Sequence, residues 1–219
     1  MTEPIRRPTR RYDYLDNPAA IYRASFAAIR AESDLTSVPA DAEQLVVRMI
    51  HAAGDPGLVA DVEVHPLLVP SARAALRAGK PIFTDAEMIA AGVTRRRLPA
   101  GNQVRCLLHD PRAAELAQRW HTTRSSAAVS LWGSDLEGAV VAIGNAPTAL
   151  FALLELISDG GPTPAAIIGI PVGFVGSAES KMALVQHPEQ VPYLVVRGRR
   201  GGSALCASAL NALAREEEL

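Results

Sequence analysis

Two hydrophobic rhythms divide this chain. Up to Gly54 the apolar positions recur at helical spacing. From Leu58 onward, short unbroken runs of Val, Ile and Leu alternate with helical segments. Asn17-Pro18 opens a helix over Ala19–Ala31, where Ile21, Ser25, Ala28 and Ile29 share a face. Asp41 is placed to cap a second helix that runs to Ala53 and is stopped by Gly54. The apolar runs 58–64, 81–84, 104–108, 138–143, 165–170 and 193–196 predict strands. Helices are expected over 67–78, after Asp85 as N-cap, over 111–121, 122–132, from Asn145-Ala146-Pro147 through Ile157, over 177–186 and over 203–215.

The strand segments are continuously apolar, so both faces of the sheet should be covered, as in a parallel sheet flanked by helices. The expected fold is a three-layer α/β/α domain with a mainly parallel sheet, preceded by two N-terminal helices. Residues 14–219 form that single domain, and 1–13 read as a basic, disordered tail. Glu216–Glu218 read as a solvated terminus. In such folds ligands sit beyond the carboxyl ends of the strands. This draws attention to the segments after Thr84, Ile143, Ile170 and Val196.

Composition narrows the class. In 219 residues, 48% are hydrophobic, enough for a sizeable core, and the formal net charge is -1, so nothing drives the chain toward nucleic acid. Apolar runs are broken well before membrane-spanning length, and no apolar stretch follows the basic N-terminus. Cys106 and Cys206 lie far apart and read as separate thiols. No CxxC or HExxH occurs, and His65, His109, His121 and His187 lack ligand spacing and read as surface or loop residues. A cytoplasmic enzyme without a metal is expected.

Three strand-end segments are rich in glycine: Gly144–Thr148, Gly169–Gly176, which leads to Glu179-Ser180-Lys181, and Arg197–Ser203. Such loops at helix N-termini suit anions, and Arg199 and Arg200 would add charge. The same glycines could equally serve only as tight turns. None matches a P-loop or dinucleotide fingerprint. Thr122–Ser126 offers hydroxyls and Arg124, or simply a capped helix start. His51 sits in the last turn of its helix, where carbonyls favour a cation, and Asp55 follows. It reads either as a proton donor at neutral pH or as an ordinary helix-end residue.

Several segments converge on one family. Ile21–Phe26, Val47–Asp55, Thr123–Ala127, Val141–Leu150, Pro171–Gly176 with Glu179–Lys181, and Gly198–Ser203 resemble, in order, those of the precorrin-8X methylmutases. The resemblance spans most of the chain from Tyr14 onward. It implies an isomerase of corrin biosynthesis that moves a methyl group from C-11 to C-12 of precorrin-8X, or of its cobalt-bearing counterpart cobalt-precorrin-8. The product of the metal-free route would be hydrogenobyrinate, and no cofactor is implied. It further implies a homodimer with its active site near the subunit interface. The catalytic histidine falls on His51, and Ser25 and Arg48 become substrate contacts. Arg124, Ser125, Asn145, Gly201, Gly202 and Ser203 join them as expected substrate-binding residues, suited to a polycarboxylate. The rival readings are a tetrapyrrole carrier and a nucleotide-dependent oxidoreductase.

Overall fold

The computed structural model describes residues 5–215. The first four residues of the expected tail, and Glu216–Glu218, lie outside the described residues. Residues 5–13 carry no helix or strand and are exposed.

Helix α1 spans Pro18–Glu32. The Asn17 side chain accepts the Ala20 N–H at 2.9 Å, and Pro18 occupies the first turn, where no amide partner is lost. A 3-10 turn over Ala40–Ala42 then leads into α2, Glu43–Ala53. Asp41 therefore lies in that turn and caps nothing. Gly54 ends α2 with φ of 64°, its N–H reaching Ile50 O at 2.8 Å. A side chain at that φ would be strained, which explains the glycine.

The expected strand 58–64 is shorter than its apolar run. Asp55 accepts the Gly57 N–H and caps a 3-10 segment, Pro56–Asp61, leaving only Val62–Val64 as β1. The alternation then holds: α3 Leu68–Arg77, β2 Ile82–Thr84, α4 Glu87–Gly92, β3 Val104–Cys106 and α5 Pro111–Trp120. It continues with α6 Arg124–Ser130, β4 Val140–Ile143, α7 Pro147–Ser158, β5 Ala166–Gly169, α8 Ser177–Val185, β6 Tyr193–Val196 and α9 Ser203–Leu213.

The six strands form one sheet in the order β1-β6-β5-β4-β2-β3, parallel throughout except for β1, which pairs antiparallel with β6. Side chains alternate across it. Val140, Ala142, Ile168 and Leu194 enter a core with Leu45, Met49, Leu68, Ile89 and Leu210 from α2, α3, α4 and α9. Val141, Ile143, Ile167 and Val195 enter the other, with Val129, Leu150, Leu153 and Leu184 from α6, α7 and α8. Both sheet faces are thus dry, as the continuous apolar strands require. Helix α2 belongs to the first helical layer, and α1 packs outside it on α2. Cys106 and Cys206 are free thiols, raised above their usual pKa by burial. His187 is not a surface residue: it is buried, with Nε2 near Ser158 Oγ at 3.0 Å and Leu154 O at 3.2 Å.

Candidate functional site

Helix α2 presents two faces. Leu45, Val46, Met49 and Ile50 are buried in the core, while Arg48 and His51, one turn apart, point along the opposite stripe. The His51 ring packs against α1, 5.7 Å from the Tyr22 ring and edge-on to Phe26 at 5.5 Å. Phe26 also carries the Arg48 guanidinium 5.5 Å above its ring. The aromatic pair of α1 therefore holds both polar side chains.

Arg48 and His51 line a cavity of about 420 Å³ together with Tyr22, Met88, Gly92 and Arg97. Its remaining wall is one face of α9: Ala204, Ala207, Ser208 and Asn211. The small residues set its shape. A methyl group on Gly92 would come within 2.7 Å of Ala207 Cβ, so α4 and α9 approach as closely as their backbones allow. Ser208 Oγ donates to Arg48 O at 3.0 Å and ties α2 to α9. Among the described residues the lining contains two arginines and a histidine but no carboxylate. On the other side of His51 lies a hollow of about 220 Å³, lined by Ser25, Ile29, Glu32, Ile50 and Asp55 among others. His51 is thus the wall between a cationic cavity and a second hollow that holds Ser25.

The glycine-rich strand ends behave differently from expectation. Asp85 does not cap α4, whose N-cap is Ala86. Its carboxylate is 4% exposed and turns to the β4–α7 loop, accepting the N–H groups of Gly144 (3.0 Å), Asn145 (3.0 Å) and Ala146 (2.6 Å). Burial raises the Asp85 pKa, opposed by these three amides. The N-cap of α7 is Ala146, so the Asn145 side chain does not cap the helix either. The amides expected to cradle a ligand anion are occupied by a carboxylate of the chain itself.

Charge in the last loop is likewise engaged internally. Arg200 pairs with Asp55 at 3.3 Å and Asp61 at 3.2 Å and donates to Gly57 O at 3.1 Å. Asp55 is thereby held by Gly57 and Arg200. Arg199 lies 4.9 Å above the exposed Phe174 ring. Lys181, 1% exposed, donates from below to the carbonyls of Gly198 and Arg200. Desolvation lowers its pKa to about 8, with Asp61 opposing. Gly201 is a packing requirement: at φ of 154°, a Cβ would lie 2.2 Å from Ile170 O.

The expected site residues therefore fall into groups. His51 and Arg48 share the cationic cavity, and Ser25 meets His51 in the neighbouring hollow. Ser203 opens α9, directly before the cavity residue Ala204, with Gly201 and Gly202 ahead of it. Arg124, Ser125 and Asn145 line neither hollow. They cluster at the starts of α6 and α7, which are joined by a 2.8 Å hydrogen bond between Thr123 and Thr148. The sequence reading missed Tyr22, Arg97, Ser208 and Asn211. Tyr22 lies within the Ile21–Phe26 segment, one turn before Phe26. Ser208 and Asn211 are legible only as polar positions of one helix, and Arg97 only as the last of three consecutive arginines, because the sequence does not display how these elements dock.

The precorrin-8X methylmutase family profile matches residues 20–216. Among individual relatives, the precorrin-8X methylmutase of a Sinorhizobium species is 58% identical over 204 residues, covering 93% of this chain and 97% of the relative. The cobalt-precorrin-8 methylmutase of Priestia megaterium is 34% identical, covering 90% and 87%. The crystal structure of the precorrin-8X methylmutase of Thermus thermophilus superimposes with a TM-score of 0.81 at 40% identity, covering 90% of this chain and 94% of that one.

Proposed function

Because the chain belongs to the precorrin-8X methylmutase family, an isomerase family of cobalamin biosynthesis, we propose that it moves the methyl group of precorrin-8X from C-11 to C-12 to give hydrogenobyrinate. The observation that carries this reading is the shared cavity of His51 and Arg48: a proton donor and carboxylate-binding cations around one open space that no carboxylate among the described residues lines. A corrinoid substrate has a broad apolar ring and a rim of acetate and propionate groups. Met88, Gly92, Ala204 and Ala207 suit the ring, and the arginines suit the rim.

In this mechanism His51 donates a proton or hydrogen bond to a ring nitrogen. That localises the conjugated system in the form from which the methyl group can shift, and it stabilises charge in the transition state. The Tyr22 and Phe26 rings fix the imidazole plane, so little reorganisation accompanies the step. Arg48 anchors a side-chain carboxylate, and Ser25, across the imidazole, orients His51 or meets the substrate edge. The greater identity to a relative acting on precorrin-8X than to one acting on cobalt-precorrin-8 favours the metal-free substrate. Arg124, Ser125 and Asn145 would contact substrate in a homodimer whose site lies near the subunit boundary, an assembly that sedimentation analysis checks. The location would be cytoplasmic.

The test is direct. Purified protein mixed with precorrin-8X should convert its absorption spectrum to that of hydrogenobyrinate without added cofactor. Binding with an unchanged substrate spectrum would instead make the protein a tetrapyrrole carrier.

A further inference from the structure

Arg97 ends a three-residue 3-10 turn, Arg95–Arg97, that follows α4. Of the three arginines, Arg95 and Arg96 are exposed and Arg97 is half-buried. The turn is closed by Arg97 N–H to Thr94 O at 2.8 Å. Its position on the molecule is fixed by one side chain of α9. Asn211 Oδ1 accepts the Thr94 N–H at 2.7 Å, and Asn211 Nδ2 donates to Gly92 O at 2.9 Å. This amide bridges the two ends of the α4-to-turn linker, and the buried Val93 between them packs into the core. The placement of Arg97 in the cavity is therefore set by Asn211, which lines the same space.

Among the described residues the Arg97 guanidinium makes no ion pair and no hydrogen bond. Other half-buried or clamped cations of this fold find internal partners. Arg200 takes two aspartates, and Lys181 takes two carbonyls. A planar cation partly withdrawn from water, held in a cleft with Arg48 and His51 and facing no acid among the described residues, is matched to an anion from outside. Its fork geometry suits a carboxylate bound through two parallel hydrogen bonds.

We propose that Arg97 is a substrate-binding residue that takes a rim carboxylate of the macrocycle, and that Asn211 is the positioning residue that aims it. The assignment rests on the corrinoid reading above. Arg97 and Arg48 then grip two carboxylates from separate elements, the turn after α4 and helix α2. The substrate would be oriented over His51 by charge at two points of its rim.

The experiment compares two probes on the full chain: hydrogenobyrinate, and the same macrocycle with its carboxylates methyl-esterified. Arg97→Gln should weaken hydrogenobyrinate about tenfold to a hundredfold, the range for losing a charge-assisted bond, and leave ester binding within about twofold. Arg97→Lys should fall between, keeping charge but not the fork. Asn211→Ala should reproduce part of the loss with the same preference for the acid, and in turnover raise KM more than it lowers kcat. If wild type binds the acid and Arg97→Gln binds it equally well, the assignment is wrong. Equal loss of acid and ester would also overturn it, since that reports a deformed cavity and not a lost ion pair. If wild type neither binds hydrogenobyrinate nor converts precorrin-8X, the corrinoid reading itself falls, and the ligand assigned to Arg97 falls with it.

Discussion

Asp85→Ala tests how far the carboxyl end of the sheet depends on one internal carboxylate. Asp85 leaves the end of β2 and takes three amides from the turn between β4 and α7. Removing it leaves three N–H donors at the start of a helix with no acceptor. A hydrogen bond to a charged group contributes about 1.5–3 kcal/mol, so three would suggest a large loss. Two effects reduce it. The carboxylate no longer has to be desolvated, and water can reach the amide of the exposed Asn145. We expect a net loss of about 3–5 kcal/mol, as for breaking other buried charged networks. Asp85→Asn should cost less, about 1–3 kcal/mol. Its oxygen can keep the Asn145 and Ala146 bonds now made by Oδ2, while its NH2 group faces the Gly144 N–H. Urea unfolding measures both, read from the midpoint at unchanged slope. A loss under about 1 kcal/mol for Asp85→Ala would refute the reasoning, because water would then be satisfying the turn as well as the carboxylate does.

Three further outcomes are expected. His51→Ala should lower turnover of precorrin-8X by about 10²- to 10⁴-fold, the usual share of a positioned acid, while hydrogenobyrinate affinity stays nearly unchanged; lost binding with normal turnover per bound complex would remove its catalytic role. Lys181 has a folded pKa near 8 against an ordinary 10.5, so the unfolded chain holds more protons across that window. The wild-type advantage over Lys181→Met in unfolding free energy should therefore rise from about pH 8 to about pH 10.5, and a flat difference in chemical denaturation would contradict it. Gly201→Ala forces a Cβ against Ile170 O and Pro171 O and should destabilise by about 3 kcal/mol, visible as a lower Tm.

The periodicity of the chain was enough for the layers. Continuous runs such as Val140–Ile143 fill both sheet faces because both are dry, and Gly54 ends α2 as its backbone freedom requires. Boundaries failed where a side chain found a distant partner. Asp41 and Asp85 both look like N-caps locally, yet Asp41 sits in a 3-10 turn, and Asp85 serves a loop about 60 residues away in sequence. His51 and Arg48 could be paired from their spacing on one helix. Arg97 and Asn211 could not. Their meeting depends on α4 docking against α9, which depends on Gly92 fitting over Ala207.

The same long-range pairing decides which charges remain available for a ligand. Glycine-rich loops at the strand ends carry the local chemistry of anion sites, and a sequence shows the donors without showing what fills them. Here Asp85 fills the β4–α7 amides, Lys181 takes the carbonyls of the 198–200 loop, and Arg200 is shared between Asp55 and Asp61. Those groups make the scaffold stiff: they lock the Gly54–Asp61 segment and the last loop together, immediately beyond the end of the helix that carries His51. Of the cavity cations, Arg97, which has no internal partner among the described residues, comes from a 3-10 turn that converges on α9, beside Arg48 of α2. On the proposed reading, a rigid mount behind the histidine and arginines across a space lined by no described carboxylate form the arrangement a fixed proton donor needs if a polyanionic ring is to be held in one pose while a methyl group moves.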